Sequence, residues 1–180
     1  MMEEKWRIVF KLVDINKDGV VSSADRDSCK TNFSALCTSN TDQLCADLDQ
    51  FWNNVVFPDG SPDWSVHISE DQFAERFWKS FSGDKDTTVS RVSEALKCLL
   101  KAADLNKDGI FTFDKFLKFH QAFNLGHEVV VRTTFNLIGP SPDDTCTFDQ
   151  VHGFYVELFV GEDKDKFESL KNAYRAIGML

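Results

Sequence analysis

Two acidic hexapeptides carry the chemistry open to this chain: Asp-Ile-Asn-Lys-Asp-Gly from Asp14 and Asp-Leu-Asn-Lys-Asp-Gly from Asp104. Five of their six positions are identical, and they lie 90 residues apart in a chain of 180. Carboxylate and amide oxygens at alternate positions, closed by a glycine, suit a hard divalent cation. Calcium takes six to eight oxygens at about 2.3–2.6 Å. A short loop surrounds it only if alternate residues point inward and the backbone turns sharply.

The pattern is that of the twelve-residue EF-hand loop. Positions 1, 3 and 5 give side-chain oxygens and position 6 is glycine. Position 7 gives a carbonyl, position 9 acts through water, and position 12 closes the shell with a bidentate Glu. In the first loop Asp14, Asn16, Asp18, Gly19, the Val20 carbonyl and Ser22 fill positions 1, 3, 5, 6, 7 and 9. Position 12 is Asp25, whose shorter side chain leaves room for water and narrows the advantage of calcium over magnesium. The second loop begins equally well with Asp104, Asn106, Asp108, Gly109, the Ile110 carbonyl and Thr112. Its position 12 is Lys115, which cannot coordinate a cation, and Asp114 could substitute only by a register shift or a bridging water. Two outcomes are open for this loop: a weak site with a rearranged closure, or an empty structural loop.

A loop of this kind is held between two helices, and the flanking sequences supply them. Trp6, Val9, Phe10 and Val13 recur at helical spacing before the first hexapeptide, as do Val92, Leu96, Leu99, Leu100 and Ala103 before the second. Phe116, Leu117, His120 and Phe123 form the face that leaves the second. Two further helix pairs bracket weaker loops. Leu44, Leu48, Phe51, Trp52 and Val55 lead to Phe73, Phe77, Trp78 and Phe81; Val131, Phe135 and Leu137 lead to Val151, Phe154, Tyr155 and Leu158. Both intervening loops are spent as metal sites. Ile68 and Gln72 take positions 8 and 12 in one, Cys146 and Gln150 in the other, and Asp63, Asp143 and Asp144 offer oxygen but not in the required pattern. The expected strand partners are Val21 with Ile68 and Phe111 with Cys146.

The expectation is therefore an all-α EF-hand fold, with four helix–loop–helix units in two paired lobes packed into a compact globule. Residues 1–85 form the first pair and 86–160 the second, with a boundary in the polar stretch Ser82–Ser90. A tail, 161–180, packs back through Phe167, Leu170, Tyr174 and Ile177. The segment Phe57–Ser65, with Pro58, Gly60 and Pro62, reads as irregular loop.

Composition narrows the function further. A formal charge of -9 disfavours nucleic acid, because phosphate contacts need clustered Lys and Arg. No apolar run is long enough to span a membrane, and Met1–Phe10, with Glu3, Glu4, Lys5 and Arg7, is not a secretory leader. The five cysteines (29, 37, 45, 98, 146) lack CxxC spacing. They read as free thiols of a reducing cytoplasm rather than a zinc site.

The whole arrangement resembles the invertebrate sarcoplasmic calcium-binding proteins, and more distantly calexcitin, luciferin-binding protein and the calcium-triggered photoproteins. The residues that carry the resemblance are Asp14–Asp25, Asp104–Asp108 with Gly109, Ile68-Ser-Glu-Asp-Gln-Phe73, and the closing Ile177-Gly-Met-Leu180. Lys115 and the fourth loop depart from the family pattern and put its usual three-site stoichiometry in doubt. The resemblance implies two EF-hand pairs around a shared apolar core and a calcium and magnesium buffer.

Buffering is thus the expected function, with Ca2+ as the ion and Mg2+ as competitor. A sensor that opens onto a protein partner would want a Met-rich groove, and only three Met occur. An apolar small-ligand carrier would use the 17 Phe and 4 Trp to line a cavity, although aromatics at helical spacing more often form plain core. Neither is indicated, and no catalytic constellation is found around the four scattered histidines (67, 120, 127, 152).

Overall fold

The structure is a computed structural model that describes residues 1–36 and 41–176. Cys37 and the closing Ile177–Leu180 lie outside the described residues. Each loop sits between an incoming and an outgoing helix. The first unit is α1 (Met2–Val13), β1 (Val20–Val21) and α2 (Ser23–Leu36); the second is α3 (Thr41–Val56), β2 (Ile68–Ser69) and α4 (Glu70–Gly83). The third is α5 (Lys85–Ala103), β3 (Ile110–Thr112) and α6 (Phe113–Ala122); the fourth is α7 (Glu128–Ile138), β4 (Thr145–Thr147) and α8 (Phe148–Val160). Helix α9 (Lys164–Ala176) follows.

The loops are joined in twos by short antiparallel strands. Val21 lies opposite Ile68, and Phe111 opposite Cys146, the partners expected from position 8. All four of these side chains are buried, which fixes the register, since a one-residue slip would turn them to solvent.

The outgoing helices begin at the position-9 residue of each loop, and for a common reason. The first turn of a helix has unpaired N–H groups, which a Ser or Thr side chain can satisfy. Thr112 accepts from the Lys115 N–H at 3.3 Å. Ser69 with Gln72, and Thr147 with Gln150, form reciprocal capping boxes. The position-12 glutamines of the two spent loops thus have a structural use, and Gln150 also donates to the Gly139 carbonyl at position 1 of its own loop, 3.1 Å away.

One buried apolar cluster runs through all four units. Phe33 of α2 meets Phe119 and Phe123 of the third unit, and Phe51 of α3 also meets Phe123. The fully buried Trp6 donates its indole N–H to the Phe159 carbonyl at 2.9 Å, which ties α1 to α8. Phe167, Leu170 and Tyr174 of α9 are buried, and α9 lies against α7 through a Thr134–Tyr174 hydroxyl hydrogen bond of 2.8 Å.

The helix break in the polar stretch Ser82–Ser90 is a single residue. Asp84 alone separates α4 from α5, ending one helix and capping the next by accepting from the Thr87 N–H at 3.0 Å. Polarity there marks a solvated helix face around a single break, and the thread of the chain turns without a linker.

Candidate metal centre

The two acidic loops adopt one backbone. Lys17 and Lys107 are both left-handed, at φ 58° and 56°, and Gly19 and Gly109 follow at 87° and 70°. Glycine is needed at the latter pair because L side chains resist that region. The internal hydrogen bonds repeat as well. The Gly19 N–H donates to Asp14 Oδ2 at 3.1 Å, and the Gly109 N–H to Asp104 Oδ2 at 2.8 Å. The Val20 N–H donates to Asp18 Oδ1 at 3.0 Å, and the Ile110 N–H to Asp108 Oδ1 at 2.9 Å. In both loops the Asn amide donates to the second oxygen of the position-5 Asp.

The loops part company at position 12. Lys115 turns its ammonium into the centre of the second loop. Nζ donates to Asp104 Oδ1 at 3.0 Å, Asp108 Oδ1 at 2.6 Å, the Ile110 carbonyl at 2.7 Å and, most closely, Asn106 Oδ1. Those are the four metal-ligand candidates of the loop, all gathered on one nitrogen. Asp108 is held down to about 2, first by the Lys115 hydrogen bond and then by the Ile110 N–H. Burial opposes the lysine charge, but the bonds to Asp108 and Asp104 outweigh it and raise Lys115 above its ordinary value. Asp114 takes no part: it is exposed on α6 and pairs with Lys118 at 2.7 Å. Lys115, which cannot coordinate a cation, places its own ammonium among the oxygens of the loop.

Among the described residues no side-chain cation donates into the first loop. Asp14 Oδ1, the counterpart of Asp104 Oδ1, is buried and has no hydrogen-bond partner. Burial pushes the Asp14 carboxyl above the usual range, the Gly19 N–H works against that, and the nearby Asp25 and Asp18 charges add to the rise. Asp25 is fully buried, and its carboxylate turns to the loop backbone. Oδ1 accepts from the N–H groups of Ile15 (2.9 Å) and Asn16 (3.2 Å), and Oδ2 from the Ser22 N–H (2.9 Å) and hydroxyl (3.3 Å). Asp25 therefore closes the loop by hydrogen bonding, and four donors share its two oxygens. Asn16 and Asp18 are exposed at the loop rim, and Val20 opens β1. Among the described residues no three His, Cys, Asp or Glu side chains converge into a tight metal cluster. The loop positions that match the four oxygens around Lys115 Nζ carry the same mixed set in the first loop, the carboxylates of Asp14 and Asp18, the Asn16 amide and the Val20 carbonyl, the donor types an EF-hand uses.

The residues present fit a cation in the first loop. A buried carboxylate oxygen without a donor or counter-charge is costly, and its repeat counterpart shows what satisfies it: a positive group at the loop centre.

His120 is held by two hydrogen bonds inside the core. His120 Nδ1 lies 2.8 Å from the Phe116 carbonyl, which can only accept, so Nδ1 carries the proton and Nε2 accepts from the Tyr155 hydroxyl at 2.9 Å. Beside them, between α1, α3, α5 and α6, an apolar cavity lined by Leu12, Phe51, Leu96 and Phe119 holds about 40 Å³. Among the described residues no helix is long and apolar enough to cross a membrane.

Four helix–loop–helix units with loops paired by short strands define an EF-hand protein. The chain is homologous to the sarcoplasmic calcium-binding protein of Mizuhopecten yessoensis, at 27% identity over 175 residues, covering 96% of this chain and 97% of that one. Among solved structures, n-aequorin is similar with a TM-score of 0.70 at 12% identity, covering 94% of this chain and 93% of that one. The calcium-loaded apo form of the coelenterazine-binding protein of Renilla muelleri is similar with a TM-score of 0.67 at 18% identity, covering 96% and 93%. No protein-family profile matches the chain.

Proposed function

We propose that the protein binds one calcium ion in the loop Asp14–Asp25 and acts as a calcium buffer of the cytoplasm, with magnesium as competitor. The observation that carries this reading is the buried, unpartnered Asp14 Oδ1 set against Asp104 Oδ1, which is satisfied by an ammonium in an otherwise matching loop. Asp14, Asn16, Asp18 and the Val20 carbonyl are the proposed ligands, by correspondence with the four oxygens around Lys115 Nζ. Asp25 presets the loop through its four donors and shifts toward the ion to complete the shell. The name of the homologous Mizuhopecten protein, sarcoplasmic calcium-binding protein, supports calcium as the ion.

The buffer reading over a sensor draws on the shared core. Helices from all four units bury one aromatic cluster, with α9 laid against α7, so opening a groove would mean breaking that cluster. We read residues 1–85 and 86–160 as the two loop pairs and 161–180 as the tail, of which α9 (Lys164–Ala176) completes this packing. A carrier of a small apolar ligand is less favoured: pockets for such ligands run to about 300–1,000 Å³, the apolar inner cavity holds about 40 Å³, and the pocket of about 470 Å³ beside α9 has the charged Glu157, Asp163, Asp165 and Lys166 in its lining. Calorimetric titration tests the proposal. Wild type takes up one calcium per chain and Asp14→Ala takes up none; unchanged uptake in Asp14→Ala would refute it.

A further inference from the structure

Position 12 closes every loop it is seen to close by a different chemistry. Asp25 accepts four hydrogen bonds, Gln150 donates to the position-1 carbonyl, and Lys115 inserts a charge. Only the last supplies what the acidic loop around it lacks. Lys115 begins from the first turn of α6, where its N–H is capped by Thr112, and its side chain reaches back across the loop to all four inward oxygens. The lysine side chain is 15% exposed and Asp104 is 8%, so the pair lies at the protein side of the loop rather than in open solvent.

We propose that Lys115 is the resident cation of the loop Asp104–Lys115, which makes this loop a calcium-independent closed EF-hand. The chemistry is specific. A calcium ion would have to displace an ammonium tethered to the loop itself and break its contacts with Asp104, Asn106, Asp108 and the Ile110 carbonyl. The lysine cannot leave by diffusion, so its effective concentration at the loop is set by a tether of five residues from the Ile110 carbonyl to Lys115. A loop closed in this way keeps β3 paired with β4 and α5 fixed against α6 at any calcium level. The second half then serves as a standing partner against which the first half binds its ion.

The inference does not depend on occupancy of the first loop, and the two are separable by experiment. Terbium luminescence and calorimetric calcium titration are compared for wild type, Asp104→Ala, Lys115→Glu and Lys115→Glu combined with Asp14→Ala. Asp104→Ala keeps the wild-type ion count. Lys115→Glu, which places a carboxylate at position 12, gains one ion, and that ion persists when Asp14 is also replaced. Loss of an ion in Asp104→Ala, or no gain in a folded Lys115→Glu, overturns the proposal; a wild type that binds none while Lys115→Glu binds one overturns only the reading of the first loop. Lys115→Met gives an independent readout in calcium-free buffer. Its melting temperature falls by roughly 4–8 °C, as expected when several charge-assisted bonds are lost from a chain of this size. An unchanged melting temperature there would also overturn the inference.

Discussion

Lys5 tests whether the N-terminal helix is bolted to the far end of the chain by a buried charge. Its side chain is 1% exposed, and Nζ donates to the Glu157 carbonyl at 2.7 Å, the Gly161 carbonyl at 2.8 Å and Glu157 Oε1 at 3.1 Å. The ammonium also lies 5.2 Å from the centre of the Phe167 ring. Lys5→Met keeps the length and apolar stem and removes the charge. Breaking a fully buried ion pair costs about 3–5 kcal/mol. Here the loss is smaller, because the Glu157 side chain is 27% exposed and keeps the Asp163 N–H as donor, and the Glu157 carbonyl keeps the Gly161 N–H. Only the Gly161 carbonyl loses its partner outright. The expected cost is therefore about 2–4 kcal/mol, or roughly 4–16 °C in melting temperature at about 2–4 °C per kcal/mol for a chain of this length. Urea unfolding followed by tryptophan fluorescence measures it, with Arg7→Met as a control. Arg7 forms exposed pairs with Glu3 and Asp71, and the control should not move. A change below about 1 kcal/mol for Lys5→Met would refute the bolt.

Three further outcomes are expected. Burial pushes His120 down to about 4 from 6.5, so the unfolded chain takes up a proton below pH 6.5 that the folded chain refuses until about pH 4. Stability from this group is present above pH 6.5 and is lost as pH falls through that window, to a total of roughly 3 kcal/mol; the unfolding free energy of His120→Leu, measured from pH 7 to pH 4, should lack this slope. Burial likewise pushes the Cys29 thiol up to about 12, so peptide mass spectrometry after native alkylation at pH 8 should find Cys29 intact and the half-buried Cys45 modified. Gly161→Ala would place a methyl about 2.1 Å from the Glu157 carboxyl, which Lys5 holds in place. It should lower stability by about 1–2 kcal/mol in urea melts, and by much less in the Lys5→Met background, where the carboxyl is free to move.

Much of this architecture is legible in the residues, and the reasons are local. The glycine at position 6, the β-branched or aromatic residue at position 8 and the Ser or Thr at position 9 each act over a few residues, so spacing alone places the loops, the strand partners and the helix starts. The repeat then places the four oxygens of each loop. What spacing does not give is the direction in which a side chain turns. Lys115 reads as a missing ligand when position 12 is checked only for a carboxylate. It reads as a replacement ion once the charge of Asp104 and Asp108 is set against its own, and the acidic loop was the signal. Asp25 has the right type for a ligand, yet a side chain one methylene shorter than Glu meets the loop N–H groups first. Lys5 is invisible at the level of sequence, since its partners lie more than 150 residues away.

Anomalous diffraction from crystals soaked in terbium, a calcium mimic, tests the central claim most directly. The account predicts one peak per chain, lying between Asp14 Oδ1, Asn16, Asp18 and the Val20 carbonyl, with Lys115 Nζ still seated among Asp104, Asn106 and Asp108. A peak in the Asp104 loop with Lys115 swung out, or no peak at Asp14, would contradict it.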